Sequence, residues 1–282
     1  MKFLVFIFSL SSTLAVGQID CVNCPPLSSV PLPTVTLPEV LPSLIDIKKV
    51  SYQRRSSVKH CKRPIDLVDT IVLHHSESSS QNSPQRINSY HLDRGWYMGG
   101  YTYLVNSPYR GESTPASVVT EGRPPELVGA HAGTDAYVPM RPKDKDAWNA
   151  GQILCGVEGG QFSPDSAELI RTKIVGGQRV EYMKANVTTI GVSVIGQYFG
   201  NAPRFQPTSN TLDMIAKLIC RLQKENPNMV NLRVHNNYHP TDCPGNLGKA
   251  SNLSYIVQKA QSYGCNFSSI PGHIKISTRI NP

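Results

Sequence analysis

The fold that the sequence predicts is α/β, a single mixed β-sheet flanked by helices. Three features lead to it: short runs rich in β-branched and aromatic residues, longer segments whose apolar residues recur at helical spacing, and the interleaving of the two along the chain. With 282 residues, 39% of them hydrophobic and 17% charged, the chain can bury a core unaided. Its 21 Gly and 22 Pro follow no fixed period, which excludes collagen, coiled coil and wholesale disorder.

The chain opens with Lys2 and an apolar run from Phe3 to Phe8, continued by Leu10 and by Leu14 to Val16, with small residues near Gly17 suited to cleavage. Residues 1–17 therefore read as a removable export signal, too short for a comfortable membrane span. No internal stretch is long and apolar enough to cross a bilayer. Between Pro25 and Pro42, six of eighteen positions are proline and only Glu39 is charged, so residues 18–49 read as a Cys- and Pro-rich extended spacer. The body is placed at about 50–265 and a polar tail at 266–282.

Within the body, Asp69 to Leu73 reads as a strand that delivers His74 at its end. Ser83-Pro84 is an N-cap followed by a first-turn proline, and Ile87, Tyr90 and His91 share a helical face up to Gly95, giving a helix over 84–94. Tyr101 to Val105 and Ile190 to Ile195 have the composition of central strands. Leu212, Ile215, Ala216, Ile219 and Leu222 keep helical spacing until Pro227, and Leu253, Ile256, Val257 and Ala260 do so before Gly264.

Charge and cysteine bound the function. Of the 28 Lys and Arg only Lys2 lies in the export signal, so the remainder faces 20 Asp and Glu with a net charge of +7, which favours anionic surroundings without selecting a partner. Basic residues are scattered and no zinc-finger spacing occurs, which argues against nucleic acid. Seven cysteines stand at 21, 24, 61, 155, 220, 243 and 265. In an exported chain an odd count leaves one without an internal partner.

The densest ligand cluster is Val234 to Gly245, with His235, His239 and Cys243 among turn-forming residues. Imidazole nitrogen and thiolate sulfur suit zinc, and seven residues between His235 and Cys243 are enough to wrap both around one ion. A catalytic site needs a third ligand, for which His74 is the candidate. On spacing alone a scaffold histidine or a disulfide-bonded Cys243 explains the pattern about as well. Giving Cys243 to a metal leaves six cysteines, enough for three disulfides.

Several phrases recur here in a family's order: Ile71-Val72-Leu73-His74-His75-Ser76, Gly95-Trp96, Gly100-Tyr101, Gly129-Ala130-His131, Ile190 to Gly196, then His235 and Cys243-Pro244-Gly245. Together they resemble the zinc-dependent N-acetylmuramoyl-L-alanine amidases, which include phage lysozyme-type amidases and catalytic peptidoglycan recognition proteins. The similarity runs over about 68–250. It is nearer to the recognition proteins through the Ile190–Gly196 strand and the Cys-Pro-Gly-Asn ending.

The resemblance implies one Zn2+ per chain held by His74, His235 and Cys243, and hydrolysis of the bond between N-acetylmuramic acid and L-alanine in bacterial peptidoglycan. It aligns Tyr101 with a tyrosine whose hydroxyl lies beside the metal-bound water, and Thr241 with a threonine or lysine facing the substrate. His131 matches a histidine bordering the substrate cleft. Trp96 is a further substrate-side candidate, although packing is its plainer role, and His75 and His91 match scaffold positions. Some relatives use a carboxylate as base in the Ile-Gly strand; Ser193 stands there, which argues against that variant.

The chain departs from the family at Gly133 to Asn186, about fifty added residues beside the expected cleft, able to cap the site, read a stem peptide or decorate the surface. Glu158 and Asp165 are the carboxylates of note in it. A binding-only peptidoglycan module is the alternative function, disfavoured because non-catalytic relatives commonly lack the cysteine ligand. The expected partner is peptidoglycan, with no nucleic acid and no stable membrane insertion after signal cleavage, and the expected state is a monomer, exported to the periplasm or secreted. Asn-X-Ser/Thr sequons at 186, 252 and 266 matter only in a eukaryotic host.

Overall fold

The computed structural model describes residues 44–79, 82–107, 118–163, 169–269 and 278–279. The export signal, the Pro25–Pro42 stretch, Cys21, Cys24 and Asp165 lie outside the described residues. Along the chain the described strands are β1 (Ile47–Lys49), β2 (His60–Lys62), β3 (Thr70–His75), β4 (Tyr103–Asn106), β5 (Val118–Glu121), β6 (Ala136–Pro139), β7 (Leu154–Gly156), β8 (Ile170–Val175), β9 (Gln178–Lys184), β10 (Thr189–Ile195), β11 (Asn231–Val234), β12 (Ser268–Ser269) and β13 (Thr278–Arg279). The helices are α1 (Pro84–Asp93), α2 (Pro142–Asn149), α3 (Ser209–Glu225) and α4 (Ala250–Ser262), with one further turn at Ala185–Thr188.

Seven strands form the main sheet in the order β1-β5-β4-β10-β3-β11-β12. Only the β4–β5 pair is antiparallel; the others run parallel. This is the mixed α/β sheet that the interleaved pattern predicts. β10 and β3, buried along their whole length, are the central strands, as their near-continuous apolar runs require.

Side chains alternate across a strand, and this sorts the central residues onto two faces. Ile71, Leu73, Ile190, Val192, Leu232 and Val234 enter one large core with α3 and α4. Val72 packs on the other side with Ala132, Ala185 and Tyr238. α1, α3 and α4 form where their apolar spacing predicts, while α2 in the added segment is not foreseen by the sequence reading. Ser83 caps α1 by accepting from Arg86 N at 3.1 Å, and Thr208 caps α3 by accepting from Thr211 N at 3.1 Å. Each large aliphatic chain that α3 buries, such as Ile215 or Leu218, contributes roughly 1.5–3 kcal/mol.

Some boundaries differ from the sequence reading. β3 continues through His74 and His75, because Ser193 and Val194 of β10 stand in register beside them. The strand expected from Tyr101 begins only at Tyr103, although Thr102 N still donates to Gly191 O at 2.8 Å and Arg123 N to Tyr101 O at 2.9 Å, so both neighbours of β4 remain in reach before the regular strand starts. β1 lies ahead of residue 50 and pairs with β5. In the tail, β12 pairs with β11 and β13 with β6.

The added segment supplies β6, β8 and β9 to a second sheet, ordered β13-β6-β9-β8, whose edge strand β13 comes from the tail. It is tied to the body by the β2–β7 pair, where Cys61 lies opposite Cys155 and is bonded to it. A second disulfide joins Cys220 of α3 to Cys265. Among the described residues Cys243 is the free cysteine, so two of the three expected disulfides are seen and Cys21 and Cys24 lie outside the described residues.

Candidate metal centre

The ends of β3 and β11 converge on one point. Alternation puts His74 on the face opposite Leu73, and the same alternation carried past Val234 puts His235 there too. The turn after His235 brings Cys243 back beneath β3, where its sulfur takes a hydrogen bond from His75 N at 3.4 Å. One ligand atom from each of His74, His235 and Cys243 lies within 4.8 Å of the others, with His74 and Cys243 buried. The rings of His74 and His235 are 4.5 Å apart, centre to centre.

His74 Nδ1 stands 3.6 Å from Cys243 Sγ. That is long for a hydrogen bond, but tetrahedral zinc with nitrogen at about 2.05 Å and sulfur at about 2.3 Å holds the two atoms about 3.6 Å apart. The donor set and its spacing therefore fit zinc. His239, the third histidine-or-cysteine side chain of the ligand-rich segment, stays outside the cluster and faces Asp135 at 3.4 Å.

Burial controls the protonation of the group. It pushes His74 well below the ordinary imidazole value, helped by the neighbouring His235 and His131. It lowers His131 likewise, with His235 and Arg63 adding to the effect and a backbone hydrogen bond at Thr189 opposing it. Burial also raises the Cys243 thiol to about 12, against the pull of the His75 N–H. Without a cation His74 is held as the neutral imidazole and Cys243 as the thiol.

The remaining candidates surround this point. A cleft of about 480 Å³ is lined by Tyr101, Thr241, Trp96, His131, His235 and Cys243, among others. The Tyr101 ring lies 5.1 Å from that of His74; burial first, then Cys243, raises its phenol, and a hydrogen bond with Ser193 restrains the rise. Thr241 Oγ1 accepts from Cys243 N at 3.2 Å, which leaves its own proton free to donate. Trp96 is half-buried and stacks on His91 with ring centres 4.5 Å apart, so it packs and lines the cleft together.

His91 Nδ1 accepts from Gly100 N at 3.1 Å and His75 Nδ1 from Tyr198 N at 2.9 Å, contacts of the scaffold kind. Glu158 sits apart, paired with Arg54 at 3.6 Å on the surface. A second cavity of about 500 Å³ adjoins the first at Trp96, Ala130 and His131, and the added segment walls it with Leu169, Lys184 and Asn186.

Asn186 escaped the sequence reading except as a sequon. It is 5% exposed, and its Oδ1 accepts from His131 N at 3.0 Å and Ala132 N at 2.9 Å. Its role is to hold the Gly-Ala-His loop, and its burial leaves no room for a glycan. The buried Arg63 in turn donates to the carbonyls of Asn186 and Val187. No local pattern signals either contact, because each joins residues more than a hundred positions or about fifty positions apart.

No family model and no curated protein matches the sequence. Among solved structures the chain is similar to an endolysin N-acetylmuramoyl-L-alanine amidase from Clostridium intestinale, at 19% identity over 78% of this chain and 99% of that one, with a TM-score of 0.46. It is similar to the Ph2119 endolysin of a Thermus scotoductus bacteriophage, at 18% identity over 68% and 84% of the two chains and a TM-score of 0.39. Bumblebee PGRP-SA matches at 17% identity over 71% and 89%, with a TM-score of 0.42.

Proposed function

We propose that this chain is a zinc-dependent N-acetylmuramoyl-L-alanine amidase, hydrolysing the amide between the lactyl group of N-acetylmuramic acid and L-alanine in peptidoglycan. One observation carries the reading: His74, His235 and Cys243, up to 169 residues apart in sequence, meet at ligand distance, with His235 and Cys243 lining the adjoining cleft. The substrate class rests on the ordered sequence phrases that lead to the same three residues.

His74, His235 and Cys243 would hold the ion. Bound there, zinc would supply Lewis acidity toward the amide carbonyl and toward a water near neutral pH. Cys243 must lose its proton to serve as a ligand, and the His75 N–H at 3.4 Å favours the thiolate. Tyr101, kept protonated by burial, can donate to an oxyanion at the carbonyl. Thr241 can donate as well, but a neutral hydroxyl cannot offset charge as lysine would, so Tyr101 carries more of this work. Trp96 and His131 border the space in which the sugar and peptide would lie.

Two disulfides among the described residues suit export, and no described helix is long and apolar enough to cross a membrane. The test is mass analysis of muropeptides after incubation with purified cell wall. Wild-type protein releases free stem peptides beginning with L-alanine, and Cys243→Ser lowers that release by orders of magnitude while still binding wall. Equal activity in the variant overturns the metal mechanism, and release of disaccharide peptides instead would mark a different hydrolase.

A further inference from the structure

His74 faces the metal position with one ring nitrogen only. Its Nδ1 is the atom 3.6 Å from Cys243 Sγ, while Nε2 is 3.1 Å from His131 Nδ1. A metal can take Nδ1 only if the imidazole proton sits on Nε2. That choice is tied to a run of hydrogen bonds leading away from the cleft, in which the Thr189 hydroxyl acts beside a Thr189 backbone contact that also favours a proton on the His131 ring.

The run ends on a group with fixed polarity. The backbone carbonyl of Ala185 can only accept, and Thr189 Oγ1 lies 2.9 Å from it. The hydroxyl has one proton; turned elsewhere, it would leave two oxygens facing each other at that distance with no proton between them. With the proton on the Ala185 carbonyl, Thr189 Oγ1 can only accept from His131 Nε2, 3.2 Å away. A neutral His131 protonated on Nε2 offers a lone pair at Nδ1, which accepts from His74 Nε2. His74 Nδ1 is then left as a lone pair toward Cys243.

The His131 ring has little freedom to choose another arrangement. Its backbone N–H is held by Asn186, and the ring fills space left by two glycines: a Cβ on Gly191 would stand 2.7 Å from His131 Cγ, and one on Gly129 would stand 2.6 Å from Cδ2. The residue is 4% exposed.

We propose that the Thr189 hydroxyl, through His131, sets the tautomer of His74 and so presents its metal-facing nitrogen ready to bind; Thr189 and His131 are positioning residues. The inference rests on the zinc reading above; it adds Thr189, which lines neither the cleft nor the ligand cluster, and gives the cleft-lining His131 a second role. Partners of this kind typically alter metal affinity 10- to 100-fold.

The test compares wild type with Thr189→Val, which keeps the shape and removes the hydroxyl, and Thr189→Ser, which restores it. Long-range 1H–15N spectra of the metal-free full chain read each histidine tautomer directly. Wild type and Thr189→Ser are expected to show His131 and His74 protonated on Nε2, and Thr189→Val to show loss of that pure state. Zinc affinity by chelator competition is expected to fall about tenfold or more in Thr189→Val and less than about threefold in Thr189→Ser. An unchanged His74 tautomer and unchanged affinity in Thr189→Val overturn the relay, as does an equal loss in both variants, which marks packing. If Thr189→Val does not fold, a wild-type spectrum with His74 protonated on Nδ1 overturns it alone. Wild type that binds no zinc at all defeats the zinc reading instead, which the spectra report separately.

Discussion

The two faces of the central sheet come from the same strands and are built on different principles. Toward α3 and α4 the strands present Ile71, Leu73, Ile190, Val192 and Val234, aliphatic chains filled in by Ile215, Leu218 and Ile219. Toward the cleft the intervening positions are His74, Gly191 and Ser193, and at the end of β11 His235. The adjacent pair His74 and His75 shows the contrast: one points into a cluster of imidazoles, the other accepts a backbone hydrogen bond from Tyr198, itself part of the helix-side core. Stability is concentrated on one face and chemistry on the other, and a parallel sheet with its strand ends at the cleft lets both be adjusted by alternate residues.

Substitutions on each face should separate these contributions. Leu218→Ala on the helix side is expected to cost about 2–5 kcal/mol of unfolding free energy in urea, the usual range for a buried leucine, and to leave zinc affinity unchanged. Gly191→Ala on the cleft side forces a methyl against the His131 ring; overpacking of this kind costs about 1–3 kcal/mol, and here it should weaken zinc binding too. If Leu218→Ala shifts zinc affinity as strongly as Gly191→Ala, the division between the faces is false.

Acid should find the cleft side first. Burial, with Arg94 and Arg123 nearby, lowers His91 to about 4, against about 6.5 in an unfolded chain. The unfolded state therefore takes up this proton as pH falls through about 6.5, and the folded state only near 4. The contribution is fully present above that window and is lost on acidification, reaching about 2 kcal/mol at pH 5 and about 3 kcal/mol by pH 4. His91→Asn keeps an acceptor for Gly100 N and removes the titration, so its urea midpoint should fall less between pH 7 and pH 5 than that of wild type. A parallel fall in both proteins would place the acid sensitivity elsewhere.

Legibility in the sequence follows the same division. The helix-side face was readable because its periods are regular: α3 and α4 appear where the 3.6-residue spacing places them, and β10 where the apolar run stands. His74, His235 and Cys243 were readable as ligand-type residues near predicted turns, and the ordered phrases selected these three over His239. The contacts that hold the site were not. Asn186 reaches back to His131 and Ala132, and Arg63 reaches forward to Asn186 and Val187, pairings fixed only by the folded path of the added segment. That segment, with short strands and mixed composition, gave no period from which its part of the second sheet could be foreseen, and the stop expected at His74 failed because strand extension depends on the partner strand, not on local composition.

The added segment itself divides between base and tip. Leu169 and Lys184 at the base of the β8–β9 hairpin line the second cavity, and Met183 is buried with Leu67, Ile153 and Val187 in a small core of their own. At the tip, Ile174 is 65% and Val175 47% exposed, and Gly176 and Gly177, at φ 58° and 80°, make the turn. Replacing both aliphatic tip residues by Ser should change stability by no more than about 0.5 kcal/mol, as for other exposed positions, and leave zinc affinity and binding to purified wall as they were. A clear loss of wall affinity in a protein of unchanged stability and metal content would show that recognition extends along the hairpin beyond the cavity wall, and the insertion would then belong with the chemical face of the molecule, not with its scaffold.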